Sequence, residues 1–187
     1  MTALGDFLFV TGNEAKLAEA RRIVGTDLDS VAVDLPEIQS LDLAKVLAAK
    51  ADEAWRRIQR PLVVEETGLE LDALGGFPGP LVKWMLASIG PEGIAECVRA
   101  LGDPRATVRC QVLYRDGDTS LLGEGIDRGT LVLPPRGDGG FGWDPVFVAE
   151  GSERTWAERP VSEKDEEGHR GKAWRDLIRK MRSLESG

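Results

Sequence analysis

The chain has 187 residues, 42% of them hydrophobic, and a formal net charge of −8. Its length suits a single α/β domain over residues 1–187, and the composition supplies an ordinary core, which excludes a disordered or fibrous chain. The acidic balance argues against nonspecific binding to nucleic acid or to anionic lipid, so a polyanionic ligand must be held by a local cluster of cations or by a metal.

Residues 6–10 are a short apolar run with β-branched and aromatic members, which predicts a strand. No basic segment precedes a long apolar run there, so a secretory leader is not expected, and no stretch is long and apolar enough to span a membrane. Thr11-Gly12-Asn13 breaks the strand, and residues 15–24 read as a helix with Leu17, Ala20, Ile23 and Val24 on one face. Backbone amides at a helix N-terminus favour an anion, and Lys16 adds charge one turn in; the plainer reading is a helix start with Asn13 as its cap and Lys16 in solvent. The spacing G-x-x-x-x-G-K-[ST] is absent, so this is not a P-loop.

Residues 31–34 alternate and predict a second strand, ended by Pro36. Residues 41–58 predict the strongest helix, apolar at Leu43, Val46, Leu47, Ala51, Ala54 and Ile58, with Asp42 as its cap. Lys50 falls on the face of Leu43, Leu47 and Ala54, where it needs an anion or must snorkel to the surface. Residues 62–66 then predict a buried strand that ends in Glu65-Glu66, with Gly68 turning the chain. Carboxylates beside three apolar residues are costly to bury without a divalent cation, a Lys or a water; a solvated strand end is the alternative.

Residues 75–80 predict an irregular Gly/Pro loop, and 81–89 and 92–101 two helices parted by Gly90-Pro91. Residues 106–115, 121–127 and 129–133 predict antiparallel strands with a turn at Asp116-Gly117-Asp118. The loop 134–144 contains the letters G-x-G-x-x-G from Gly137 to Gly142, but it leads into Trp143-Asp144-Pro145 and opens no helix, which excludes a dinucleotide fingerprint. Phe141, Trp143 and Asp144 suit a flat heterocycle stacked on a π-face; the alternative is a loop that plugs the core. A brief strand at 146–149 precedes a last helix starting at Gly168 or His169, apolar at Ala173, Leu177, Ile178, Met181 and Leu184. His169 and Arg170 at its start, after Lys164, can donate to a carbonyl oxygen on a base; the alternative for each is a solvated helix end. Cys97 and Cys110 form neither a disulfide framework nor a ligand pattern, which fits a reducing cytoplasm, and a single histidine excludes a zinc site built on several.

Taken in order, these segments resemble the inosine triphosphate pyrophosphatase family, hydrolases of non-standard purine nucleoside triphosphates. T-G-N-E-A-K from Thr11 to Lys16 is similar to that family's T-G-N-x-x-K. V-E-E-T-G-L-E-L-D-A-L-G-G-F-P-G-P from Val64 to Pro80 is similar to its strand and Gly/Pro loop, and F-G-W-D-P from Phe141 to Pro145 to its base-recognition loop. E-K-D-E-E-G-H-R from Glu163 to Arg170 is similar to its E-K-x-x-x-S-H-R, and Leu35-Pro36-Glu37 and Lys83-Trp84 to its eukaryote-like branch.

The resemblance implies an α/β fold with a long twisted mixed sheet flanked by helices, two lobes around a central cleft, and a homodimer. It also implies magnesium-dependent hydrolysis of the α–β phosphoanhydride to a nucleoside monophosphate and pyrophosphate. By position, Thr11, Asn13 and Lys16 would hold the triphosphate and Lys50 and Lys83 would neutralise it. Glu37, Glu65 and Glu66 would hold magnesium and orient the water, with Glu66, Lys50 and Lys16 as the catalytic set. Phe141, Trp143, Asp144, Lys164, His169 and Arg170 would surround a purine base.

Two residues depart from the family pattern. Glu66 stands where V-E-D-T has Asp, so the cleft must shift to suit one more methylene. Gly168 stands where the family has Ser, which removes a hydroxyl and a helix cap. Glu66 admits a second reading, a catalytically impaired relative that binds nucleotide. A third, a house-cleaning hydrolase for a modified pyrimidine triphosphate, follows the fold's distant cousins, and F-G-W-D-P and H-R argue against it.

Overall fold

A computed structural model describes residues 7–185, so Asp6 of the expected first strand lies outside the described residues. Strand β1 (Leu8–Val10) leads into α1 (Glu14–Val24), β2 (Ser30–Val31) and α2 (Leu43–Ile58). Then come β3 (Leu62–Leu71), β4 (Pro78–Gly79), α3 (Val82–Leu101), β5 (Arg105–Asp116) and β6 (Thr119–Leu131). Strand β7 (Phe147–Ala149), α4 (Val161–Glu167) and α5 (His169–Glu185) complete the order. The strands form one open mixed sheet in the order β2-β1-β3-β5-β6-β7, with β4 on β3. Strand β1 is parallel to β2 and β3, and the remaining pairings are antiparallel.

Several sequence expectations need correction. Strand β3 does not end at Glu66 with a turn at Gly68; it runs to Leu71, paired along its whole length with β5. Gly68 instead lets another strand approach, since a Cβ there would meet the Gly79 carbonyl carbon at 3.0 Å. The Gly/Pro loop at 75–80 therefore contains a two-residue strand. Residues 119–131 form one strand rather than two, because its register with β5 continues unbroken. Strand β2 stops at Val31 because its partner β1 stops at Val10, which leaves Val33, Asp34 and Leu35 to line a cavity. The two helices expected at 81–101 are joined at Gly90, whose φ of 67° and ψ of 177° break the helical course. Helix α4 had no apolar period to announce it, since V-S-E-K-D-E-E is almost wholly polar.

Side chains alternate across a strand, and β3 uses the alternation twice. On one face Val63 joins Ala20 of α1 and Trp174 and Leu177 of α5, whereas Leu69 and Leu71 join Val82, Ile94 and Val98 of α3. Glu65 and Thr67 fall on that face between the two apolar clusters. On the opposite face Leu62 and Val64 pack on Leu47, Ala51 and Ala54 of α2, and Glu66 follows them. The last β1 partner on β3 is Val63 and the first β4 partner is Leu69, so one edge of β3 between them has no neighbouring strand. That notch lies at the carboxyl end of β1, where open α/β sheets bind ligands.

Helix α5 crosses β6 at two glycines on one face. A Cβ at Gly123 would meet the Ala173 carbonyl oxygen at 2.3 Å, and one at Gly125 would meet the His169 carbonyl oxygen at 2.0 Å. Gly125→Ala should therefore lower stability by about 2 kcal/mol, the ordinary cost of overpacking. Urea denaturation checks this, and an unchanged midpoint would contradict the close approach.

Candidate active site

A cavity of about 390 Å³ occupies the notch. All fourteen side chains singled out in the sequence line it: Thr11, Asn13, Lys16, Glu37, Lys50, Glu65, Glu66, Lys83, Phe141, Trp143, Asp144, Lys164, His169 and Arg170. They come from the β1–α1 turn, the loop before α2, α2 itself, mid-β3, the start of α3, the Gly-rich loop and the α4–α5 junction.

The β1–α1 turn is built by its own side chains. The Asn13 amide donates to Thr11 Oγ1 at 3.1 Å, and the Lys16 amide donates to Asn13 Oδ1 at 3.1 Å. Asn13 is thus the N-cap of α1 and points the start of that helix at the cavity. Thr11 and Asn13 shape the turn, and the remaining first-turn amides are the groups left for an anion.

Glu65 and Glu66 part company because they are consecutive on a strand. Glu66 Oε2 accepts from Lys50 Nζ at 2.5 Å, and the same ammonium lies 3.5 Å from Glu37 Oε1. Glu37 also accepts from Lys83 Nζ. Burial alone would lower the Lys50 pKa, but Glu66 and Glu37 outweigh it and raise it, so Lys50 stays an ammonium. Burial alone would raise the Glu37 pKa, but Lys83 and Lys50 hold it below the ordinary value.

Glu65 faces the other way and is 3% exposed. It accepts from Arg170 Nε at 3.0 and 3.1 Å and from the Trp174 indole at 3.2 Å, and it lies 3.3 Å from Lys16 Nζ. Burial would raise its pKa, yet Arg170 and Lys16 carry it down to about 2. The expected trio of metal carboxylates is therefore split: Glu37 and Glu66 converge on one ammonium, and Glu65 is engaged elsewhere. Among the described residues no group of three or more His, Cys, Asp or Glu side chains is placed to hold a metal ion.

The far end of the cavity is cationic and aromatic. Lys164 Nζ lies 4.8 Å and the Arg170 guanidinium 5.4 Å from the Phe141 ring centroid. Asp144 is turned into the protein, where Oδ2 accepts from the Phe141 amide at 2.8 Å and from Lys164 Nζ at 2.5 Å. It braces the Gly-rich loop against α4. The Trp143 ring lies 6.4 Å from that of His169, tilted by 34°, and its buried indole N–H has no hydrogen-bond partner among the described residues. His169 and Arg170 are 2% and 3% exposed, so neither is the solvated helix end that a terminal position suggested.

Sequence reasoning missed two buried acids. Glu19 of α1 lies 3.3 Å from Lys164 Nζ and accepts from Arg170. Burial works to raise its pKa, and Arg170 and Lys164 lower it. Its position three residues after Lys16 on a helix was the available signal. Asp127 of β6 contacts His169, and its signal was the period-two spacing from Gly123 and Gly125.

A model of the Ham1 family matches residues 7–180. The chain is similar to an inosine triphosphate pyrophosphatase of Puccinia graminis f. sp. tritici, 38% identical over 177 residues that cover 89% of this chain and 91% of that protein. It is also similar to a dITP/XTP pyrophosphatase of Hyperthermus butylicus, 36% identical over 178 residues and 94% of each chain. Among solved structures, a HAM1 protein from Coxiella burnetii aligns with a TM-score of 0.80 at 24% identity, covering 95% of this chain and 98% of its own. A nucleoside-triphosphatase / dITP/XTP pyrophosphatase from Mycobacterium abscessus aligns with a TM-score of 0.69 at 26% identity, covering 95% and 97%.

The Glu65 cluster makes stability depend on acid. A carboxyl held at about 2 against an ordinary 4.5 contributes fully above its ordinary pKa and loses that contribution as pH falls through about 2. Between about pH 5 and about pH 3 the protein should lose about 2 kcal/mol of unfolding free energy that a Glu65→Gln variant, less stable at neutral pH, does not lose. Urea titrations across that range check this, and parallel pH profiles for the two proteins would contradict it.

Proposed function

This chain belongs to the Ham1 family, and from that premise we propose that it hydrolyses ITP, dITP and XTP to the nucleoside monophosphate and pyrophosphate. It is then a hydrolase acting on acid anhydrides that clears non-standard purines from the nucleotide pool. One observation carries the reading beyond family membership. Lys50 Nζ sits between Glu66 and Glu37 at one end of the cavity whose other end holds Lys164, His169 and Arg170. The contact of 2.5 Å from Glu66 to Lys50 also favours a working site over an impaired relative, since the extra methylene of Glu66 is accommodated.

The carboxylate pair fits magnesium. Glu37 and Glu66 already bring oxygens to one cationic centre, and magnesium takes one or two carboxylates and fills its shell with water and substrate phosphates. Glu37 and Glu66 would hold the ion, which when bound supplies charge neutralisation at the phosphate oxygens. Lys16, Lys50 and Lys83 bind the triphosphate beside the first-turn amides of α1. Glu66 orients the attacking water and accepts its proton. The water oxygen bonds to the α-phosphorus, and the α–β bridging oxygen leaves with pyrophosphate. Glu65 keeps Lys16 and Arg170 in place and touches neither water nor metal.

Arg170 and Lys164 are fixed N–H donors at the base end, suited to the 6-oxo group of hypoxanthine or xanthine. Adenine presents an amino donor there and leaves buried donors unpaired, at about 1–3 kcal/mol for each. Association as a homodimer belongs to the same reading, supported by the exposed Ile38 and Trp84, which share a groove beside the cavity.

With magnesium present, ITP, dITP and XTP should each yield pyrophosphate, at kcat/KM roughly tenfold or more above ATP. Equal rates on ATP, release of orthophosphate alone, or preference for a modified pyrimidine triphosphate would overturn the reading.

A further inference from the structure

The last helix begins without a side chain to cap it. Gly168 precedes α5, and a Cβ there would meet the Lys164 carbonyl oxygen at 2.6 Å, so the serine of the family pattern does not fit this junction unless the backbone shifts. The first amide of the helix is nonetheless satisfied. His169 N donates to Asp127 Oδ2 at 2.7 Å, and Asp127 belongs to β6, 42 residues away in sequence.

The same carboxylate also meets the ring. Asp127 Oδ2 lies 3.0 Å from His169 Nδ1, and Oδ1 accepts from Lys172 Nζ at 2.6 Å. Gly123, Gly125 and Asp127 alternate onto one face of β6. The two glycines admit the helix and the third residue meets its first turn. Asp127 is 4% exposed and His169 is 2% exposed, so the contact is shielded from solvent. Burial raises the Asp127 pKa, but His169 and Lys172 bring it below the ordinary value. An ionised carboxylate only accepts, so Nδ1 must carry the hydrogen between the two groups.

We propose that Asp127 is a positioning residue for base selection: it caps α5 in place of the missing side chain at 168 and fixes His169 with Nδ1 protonated, presenting Nε2 to the base. His169 lines the cavity beside Trp143, so the ring nitrogen not held by Asp127 is the one a bound purine meets; rather than donating to the 6-oxo group, its lone pair accepts from the N1–H that hypoxanthine and xanthine carry and adenine lacks. A histidine free of such a partner favours hydrogen on Nε2, so without Asp127 the ring would meet the base with the other tautomer and a freer orientation. The selectivity part of the proposal rests on the pyrophosphatase reading; the tautomer does not.

The chain holds a single histidine, so nitrogen-15 NMR of the imidazole reports on His169 alone. In the native protein the neutral ring should show hydrogen on Nδ1; hydrogen on Nε2 would overturn the proposal whatever any variant does. In Asp127→Ala the signal should move to the ordinary mixture. The ITP-to-ATP ratio of kcat/KM should fall roughly tenfold, the scale of one charged hydrogen bond, mostly through KM for ITP. If Asp127→Ala does not fold, Asp127→Asn keeps an acceptor for the His169 amide and should still lose selectivity, by roughly threefold or more. A variant that melts earlier yet keeps both its tautomer and its ITP-to-ATP ratio would make Asp127 structural only and defeat the proposal. Absence of turnover in the native protein would defeat the functional reading alone, leaving the NMR result to stand by itself.

Discussion

Two consecutive residues on a β-strand must face opposite ways, and the cavity depends on that constraint at Glu65 and Glu66. Both acids sit in the gap that β1 and β4 leave on the edge of β3. One carboxylate is thereby delivered to α2 and the other to α1 and α5. A single dipeptide organises both sides of the cleft, and the cations fall in around it: Lys50 with Glu66, Lys16 and Arg170 with Glu65. Strand pairing beyond Glu66 matters for the same reason. If β3 had turned at Gly68, Leu69 and Leu71 could not anchor α3, which brings Lys83 to the rim.

The cavity is held ready by internal ion pairs. Lys16, Lys50, Lys83, Lys164 and Arg170 all have carboxylate partners. The pairs differ in what a polyanion could do with them. Those of Glu65, Glu19 and Arg170 are buried, and breaking one would strand a charge. The Lys83–Glu37 pair lies at the solvent edge, where exchange of a carboxylate for phosphate oxygens is cheap. The cavity thus divides into a rigid end around Arg170 and Lys164, the proposed base end, and an exchangeable end around Lys83 and Glu37, the proposed phosphate end, with α1 reaching both through Lys16 and Glu19. Such preorganisation is what allows fixed dipoles and charges to favour a transition state without rearranging.

Much of this was legible in the sequence, because the informative residues broke local rules. Lys50 on an apolar helix face and two glutamates after Leu-Val-Val all asked for partners; Lys50 and Glu66 supply each other's, and Glu65 finds Arg170 and Lys16. Asn13 as a cap could be read from the T-G-N turn alone. What stayed hidden was non-local. That Gly68 serves close approach rather than turning, and that Gly123 admits a helix, depends on elements that pack against them from elsewhere. That β6 runs through residue 128 depends on β5 opposite. The roles of Glu19 and Asp127 depend on α5 meeting α1 and β6, and nothing local announced that Asp144 would pair with Lys164 and the Phe141 amide within its own wall of the cavity. The family resemblance identified which residues would gather, and the strand geometry separated their work.

In the proposed mechanism Glu66 does chemistry and Glu65 does not. Single-turnover hydrolysis of ITP, followed over a range of enzyme concentrations with magnesium in excess, gives the rate constant and the nucleotide affinity together. For Glu66→Gln the account predicts a rate constant lowered by roughly 10²–10⁴, the usual share of a general base, with affinity changed only slightly. Glu65→Gln should show the reverse, weakened affinity with the larger part of the rate constant retained. A Glu66→Gln enzyme that turns over at close to the native rate, or a Glu65→Gln enzyme that binds ITP normally and loses the chemical step, would contradict it.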